Sequence, residues 1–228
     1  MTLARLRKIC LDANDPPKLG PWWAGVLGLQ WRPYPHGDGG IYRPGGGQPV
    51  IWVNRVPEPK TVKQRWHLDI YAKSLDALSA AGATVVLPEG DDRRWTVMAD
   101  PEGGEFCAFV RDPAPGPNPH GLVVDCADPA GLARWWVGVL GGELRDSGPE
   151  HTEASQVPGM THTFHFVKVP EPKVTKNRIH LDLTMETVEP LLAAGATVLR
   201  APDDEIDFHV LADPEGNELC AFPYPPGR

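Results

Sequence analysis

The sequence predicts an α+β fold built from four βαβββ modules in two pairs, and two observations carry that reading. The chain repeats itself at a fixed offset of 113 residues. Asp15-Pro16 returns as Asp128-Pro129, Trp22-Trp23-Ala24-Gly25-Val26-Leu27-Gly28 as Trp135-Trp136-Val137-Gly138-Val139-Leu140-Gly141, His67-Leu68-Asp69 as His180-Leu181-Asp182, and Asp100-Pro101-Glu102-Gly103 as Asp213-Pro214-Glu215-Gly216. Such a period is too long for a solenoid and fits tandem copies of one unit. Within each copy the order strand, helix, three strands is legible twice, in short apolar runs separated by glycine and proline.

The first half opens with a strand over Arg5 to Ala13. Asp15 suits an N-cap and Pro16 a first helical residue, so a helix runs to Leu27 and stops at Gly28. Strands follow around 29–34, 40–43 and 49–55; Val56-Pro57-Glu58-Pro59 then breaks the pattern, because proline has no ladder donor. The next module begins with a strand at Trp66–Ala72. Ser74 caps a helix whose Leu75, Leu78 and Ala81 share a face, and Gly82 ends it. Strands near 84–87, 94–99 and 105–110 complete the half. The second half repeats the plan: a strand at 122–126, a helix from Pro129 to Leu140, a strand at 178–184, a helix ending near Gly195 and strands to Phe222. The expected domains are residues 1–112 and 120–228, joined by a stiff, proline-rich linker at 113–119.

Composition narrows the function classes. The 228 residues carry a formal net charge of −8. Nothing is basic enough for a nucleic-acid surface, and Lys60 to Arg65 reads as a solvated connection. No apolar run approaches the ~20 residues of a membrane span. The start of the chain has no apolar signal region, so the expected compartment is cytoplasmic. Cys10, Cys107, Cys126 and Cys220 form no CxxC pair and read as reduced, packed thiols. The turn sequence Asp100-Pro101-Glu102-Gly103 and its copy read as plain turns. In each Trp-Trp pair the two rings cannot share a helix face, so one packs in the core and the other covers an interface.

The opening helix ending in Leu27-Gly28, the strand start His67-Leu68-Asp69, the Ala80-Ala81-Gly82-Ala83-Thr84 turn and the run Asp100-Pro101-Glu102-Gly103-Gly104-Glu105-Phe106-Cys107-Ala108-Phe109, each with its copy, resemble the vicinal oxygen chelate superfamily. The likeness is to its glyoxalase-like and bleomycin-resistance-like branch, and it covers almost the whole chain. It implies two glyoxalase-like domains with curved, mostly antiparallel sheets around open clefts, and an internal pseudo-dimer in a monomer or homodimer. It implies a small organic ligand or substrate. It does not by itself choose among isomerases, dioxygenases, resistance proteins and metal-free binders.

Metal-dependent members line each cleft with up to four ligands. His67 and Glu105 in the first half, and His180 and Glu218 in the second, match two of those positions; imidazole and carboxylate suit Zn, Ni, Mn or Fe. The other two positions depart from the pattern. The opening-strand position falls near Lys8 and Gly121, and a lysine repels a divalent cation. His120 is one residue off, which places it on the opposite strand face. The fourth-strand position offers Trp52 in the first half and His165 in the second, with His162 upstream. Asp12 and Asp125 are equivalent and fall on the cleft face, either as ligand contacts or as ties for the strand–helix corner. Trp52, Trp66 and Trp95 either wall a cleft or fill the core. Two expectations result. One is a metal-free binder of an apolar or aromatic compound, using Trp52, Asp12, Asp125 and His165. The other is a metal-dependent lyase, isomerase or dioxygenase in which Glu105 or Glu218 shuttles a proton.

Overall fold

The structure is a computed structural model that describes residues 2–91, 93–116, 118–146 and 148–223. In chain order, the first half comprises β1 (Arg5–Ala13), α1 (Pro16–Leu27), β2 (Gln30–Pro33), β3 (Gly39–Tyr42), β4 (Ile51–Arg55), β5 (Trp66–Ala72), α2 (Leu75–Ala80), β6 (Thr84–Leu87), β7 (Thr96–Ala99) and β8 (Glu105–Val110). The second half comprises β9 (Gly121–Cys126), α3 (Pro129–Leu140), β10 (Glu143–Asp146), β11 (His151–Ser155), β12 (Thr163–Lys168), β13 (Ile179–Met185), α4 (Glu189–Ala193), β14 (Thr197–Arg200), β15 (His209–Ala212) and β16 (Glu218–Pro223). The expected fold class, an α+β arrangement of four βαβββ modules, is the one observed.

The modules pair across the halves. One eight-stranded sheet runs β14-β15-β16-β13-β1-β4-β3-β2, and the other β10-β11-β12-β9-β5-β8-β7-β6. Each half therefore gives one module to each sheet. At the module seams β1 runs antiparallel to β13 and β5 antiparallel to β9. Within each module the first strand runs parallel to the last.

Strand alternation sorts the side chains. Trp66, Leu68 and Ile70 of β5 are fully buried, while His67 and Tyr71 on the opposite face are only partly so. Ile9, Leu11 and Ala13 of β1 likewise point to the core. Helices α1 and α3 cover these core faces, and each lodges one tryptophan deeply. Trp23 packs edge-on against Phe106, and Trp136 against Trp66 and Phe164. The indoles are also hydrogen-bonded: Trp23 Nε1 donates to Asp100 at 3.2 Å and Trp136 Nε1 to Asp213 at 3.1 Å. The neighbouring Trp22 and Trp135 are half-buried and donate to the carbonyls of Ala81 and Ala194, just past α2 and α4. The division of labour expected of each Trp pair is thus observed, and it joins the helix of one module to the next.

Two local expectations need correction. Asp15 occupies the N-cap position of α1 but makes no side-chain cap bond, whereas Asp128 accepts from Gly131 N at 3.0 Å. The Asp-Pro-Glu-Gly turns are more than turns. Glu102 accepts from the amides of Asn14 and Asp15, both at 2.7 Å, and Glu215 from those of Ala127 and Asp128 at 2.7 and 2.8 Å. A carboxylate from the end of each half thus holds the start of that half's first helix, where amides lack partners.

Candidate functional site: two unlike clefts and the cavity between them

Equivalent strands line the two clefts, but the side chains differ. In the first sheet β1 contributes Lys8, Cys10 and Asp12, β4 contributes Trp52, and β13 contributes His180 and Asp182. Lys8 Nζ lies 3.6 Å from Asp182 Oδ2 and 4.5 Å from the centroid of the Trp52 ring. Trp52 in turn meets Tyr34 edge-on at 4.9 Å. Trp52 is therefore a cleft wall, whereas Trp66 is core; Trp95 stacks on Phe109 at 5.6 Å. Cys10, His180 and Asp182 bring three ligand-type atoms within 4.8 Å of one another. The ammonium of Lys8 already supplies the positive charge there.

The second cleft has Gly121 where the first has Lys8, and His165 where the first has Trp52. A Cβ on Gly121 would lie 3.1 Å from the His165 ring and 3.3 Å from Asp69 Oδ2. The missing side chain is what lets that ring and carboxylate close over the strand. Five of the chain's eight histidines gather in this cleft: His67, His120, His151, His162 and His165. Burial holds His67, His120, His162 and His165 down to about 4, so they are neutral imidazoles near pH 7. Burial also pushes Asp69 up to about 7, and raises the Cys107 thiol that faces it. His67, Asp69 and Cys107 form a second group of ligand atoms within 4.8 Å, and His151, Glu153 and His165 a third.

His120 corrects the sequence reading. It sits just ahead of β9, outside the strand alternation that was to turn it away. Its ring stacks on Tyr71 at 4.1 Å and meets Phe109 edge-on at 4.8 Å. With His162 it lines an open cavity of about 310 Å³ at one end of this cleft.

Glu105 and Glu218 are held by neighbours. Glu105 accepts from Lys60 Nζ at 2.7 Å and from Gln64 N at 3.0 Å; Glu218 accepts from Lys173 Nζ at 2.6 Å and from Asn177 N at 3.1 Å. Neither belongs to a ligand group that contains His67 or His180. To bind a metal, each would have to leave a half-buried lysine. The positions implied by the resemblance therefore do not fit a shared ion.

Asp12 and Asp125 are both buried. Each is reached from the other half: Lys176 Nζ stands 2.5 Å from Asp12 Oδ2, and Lys63 Nζ 2.5 Å from Asp125 Oδ2. Both carboxylates border a cavity of about 470 Å³, closed by the equivalent loops 56–65 and 169–178. Arg65 and Arg178 brace those loops, donating to the carbonyls of Glu171 and Glu58 at 2.7 and 2.8 Å.

The glyoxalase-like domain family model matches residues 8–109 and again 121–222. The chain belongs to the glyoxalase-like domain family. Its fold is similar to that of glyoxalase I from maize (Zea mays), at TM-score 0.64 and 14% identity over 96% of this chain and 92% of that one. A mutant of the same maize enzyme matches at TM-score 0.63 and 16% identity, over 96% and 93%. At such identities the likeness is one of fold. No curated protein matches the sequence. As in the sequence reading, these glyoxalase-like domains are a tandem pair, and no helix is long and apolar enough to cross a membrane among the described residues. Sequence reasoning missed Asp69, Cys107, His151 and Glu153 as cleft residues. The last two could have been flagged by their mismatch with Asp38 and Gly40, which occupy the equivalent positions in the first half.

Proposed function

We propose that the protein binds a small organic compound of apolar or aromatic character in the cavity between the two clefts. One observation carries the reading. The cavity is about 470 Å³, within the range of small-molecule sites, and Val56, Pro59, Val62, Val169, Pro172 and Val174 give it an apolar surface set among charged side chains. Two buried carboxylates, Asp12 and Asp125, supply fixed polar points. The lysines that hold them, Lys176 and Lys63, are more than half exposed, so both pairs are open to solvent on the lysine side. The engagement of Glu105 and Glu218 by lysines supports binding that needs no metal.

The test is calorimetry on hits from an aromatic-compound screen, with and without chelator. Hits should bind about equally in both conditions and lose at least tenfold in affinity in Val174→Arg, an exposed position at the cavity wall. Affinity that vanishes with chelator, or that ignores Val174→Arg, overturns the reading.

A second reading, a metal-dependent enzyme on a vicinal-oxygen substrate, is favoured by the histidines and acids gathered in the second cleft. Turnover of such a substrate that is lost on chelation and restored by metal would establish it.

A further inference from the structure

We propose that β11 and β12 carry a divalent transition-metal site made by His151, Glu153 and His165. His165 occupies the fourth-strand position the family resemblance implies, while His151 and Glu153 lie one strand outward, on β11. Glu153 and His165 are direct cross-strand partners, and His151 is two residues along β11 on the same face. His151 Nε2 and His165 Nδ1 stand 3.1 Å apart, and Glu153 Oε2 lies 3.7 Å from that same His165 nitrogen. Two nitrogens bound at about 2.0–2.1 Å to one ion stand roughly 2.9–3.4 Å apart in tetrahedral or octahedral geometry. The imidazole pair already has that spacing, and the carboxylate needs only a small rotation to join it.

The donor set is two imidazoles and one carboxylate, which suits Zn(II), Co(II), Ni(II) or Fe(II) and leaves positions open for water or a ligand. All three residues are half-buried, so an ion can enter from solvent. Arg145, largely exposed, approaches the other oxygen of Glu153, Oε1, at 3.5 Å, and leaves Oε2 to the site. By contrast, His67, Asp69 and Cys107 offer one imidazole and lie deeper. The first half has no such site: its equivalent residues are Asp38, Gly40 and Trp52, and Asp38 is spent on the Arg55 amide at 2.8 Å.

The experiment uses the full, untagged chain, stripped by chelator and then titrated with Co(II) and Zn(II) by calorimetry and visible absorption. The proposal expects one equivalent of metal per chain. It expects Co(II) ligand-field bands with no sulfur-to-cobalt charge-transfer band. It also expects at least a hundredfold weaker binding in His151→Ala and in Glu153→Gln, with His67→Ala unchanged. Absence of stoichiometric binding overturns it. So does a charge-transfer band in the unmodified protein, which would place the ion on a thiol, Cys107 or Cys10, and needs no variant to fold. Binding that survives His151→Ala but is lost in His67→Ala also overturns it. The cavity bordered by Asp12 and Asp125 does not include these residues, so failure here leaves the organic-ligand reading standing.

Discussion

Lys8 Nζ lies over the Trp52 ring at 4.5 Å and beside the buried Asp182 carboxylate at 3.6 Å, whereas the equivalent pair in the second cleft is Gly121 and His165. One lysine thus converts a possible imidazole–carboxylate–thiol centre into a packed ion pair with an aromatic lid. Removing one partner of a buried pair leaves an uncompensated charge. Lys8→Met should therefore destabilise the fold by about 2 kcal/mol, and Asp182→Asn by a similar amount, while the double variant recovers part of the sum. Denaturant unfolding of the four proteins reads the coupling. A value within error of zero would mean that Lys8 merely covers Trp52.

The carboxylates of Glu102 and Glu215 each bind two amides at the start of a helix 87–88 residues earlier in the chain. Charge-assisted bonds to helix-start amides are each worth roughly 1–2 kcal/mol. Glu215→Ala should lower stability by about 2 kcal/mol. Glu102→Ala should cost more, because it also strips Arg178 Nη2 of a 2.9 Å partner. Unchanged denaturation midpoints would show that the turns need only their Asp-Pro and Gly residues.

Much of this fold is local and so legible in the sequence. Pro16 and Pro129 open helices, Gly28 ends α1 in a left-handed conformation, and two-residue alternation marks the strands. The pairing of modules across halves was not legible, because nothing local distinguishes β1 alongside β13 from β1 alongside β5. The candidate site was partly legible. His67 and His180 were found through the resemblance. Glu105 and Cys107 share a strand face, and the approach of Lys60, 45 residues away, and of the Gln64 amide turns Glu105 to other partners. His151 and Glu153 gave no motif at all; their signal is that the repeat fails at those positions.

Cys10, Cys107 and Cys126 are buried and Cys220 partly so, and none is in a disulfide. Burial raises all four thiols, Cys126 to about 12. The thiolate is the reacting species, so native protein at pH 8 should react with an aromatic disulfide reagent far more slowly than a free thiol does. In denaturant all four should react at once. One thiol per chain that reacts rapidly in the native state would identify an exposed, activated cysteine and contradict this packing.

His162 offers the sharpest pH test. It is buried, neither ring nitrogen has a hydrogen-bond partner among the described residues, and Arg43 and His120 lie near it. Burial first, then the Arg43 charge and, where it too is protonated, His120, hold it down to about 4 against about 6.5 in an unfolded chain. Between those values the unfolded chain binds a proton that the fold refuses. The stability this group contributes is therefore present above pH 6.5 and is lost as pH falls toward 4. His67, His120 and His165 act in the same direction, while Asp69, pushed up to about 7, acts in the opposite one, so a whole-protein curve mixes signs. The difference between the unmodified protein and His162→Gln isolates the single group. On going from pH 7.5 to 4.5 the unmodified protein should lose roughly 1–3 kcal/mol more than the variant. In thermal melts this corresponds to several degrees for a chain of this size. Parallel melting curves across that range would mean that water or a relaxed cavity wall hydrates the ring, and that the cavity beside His120 opens more readily than its walls suggest.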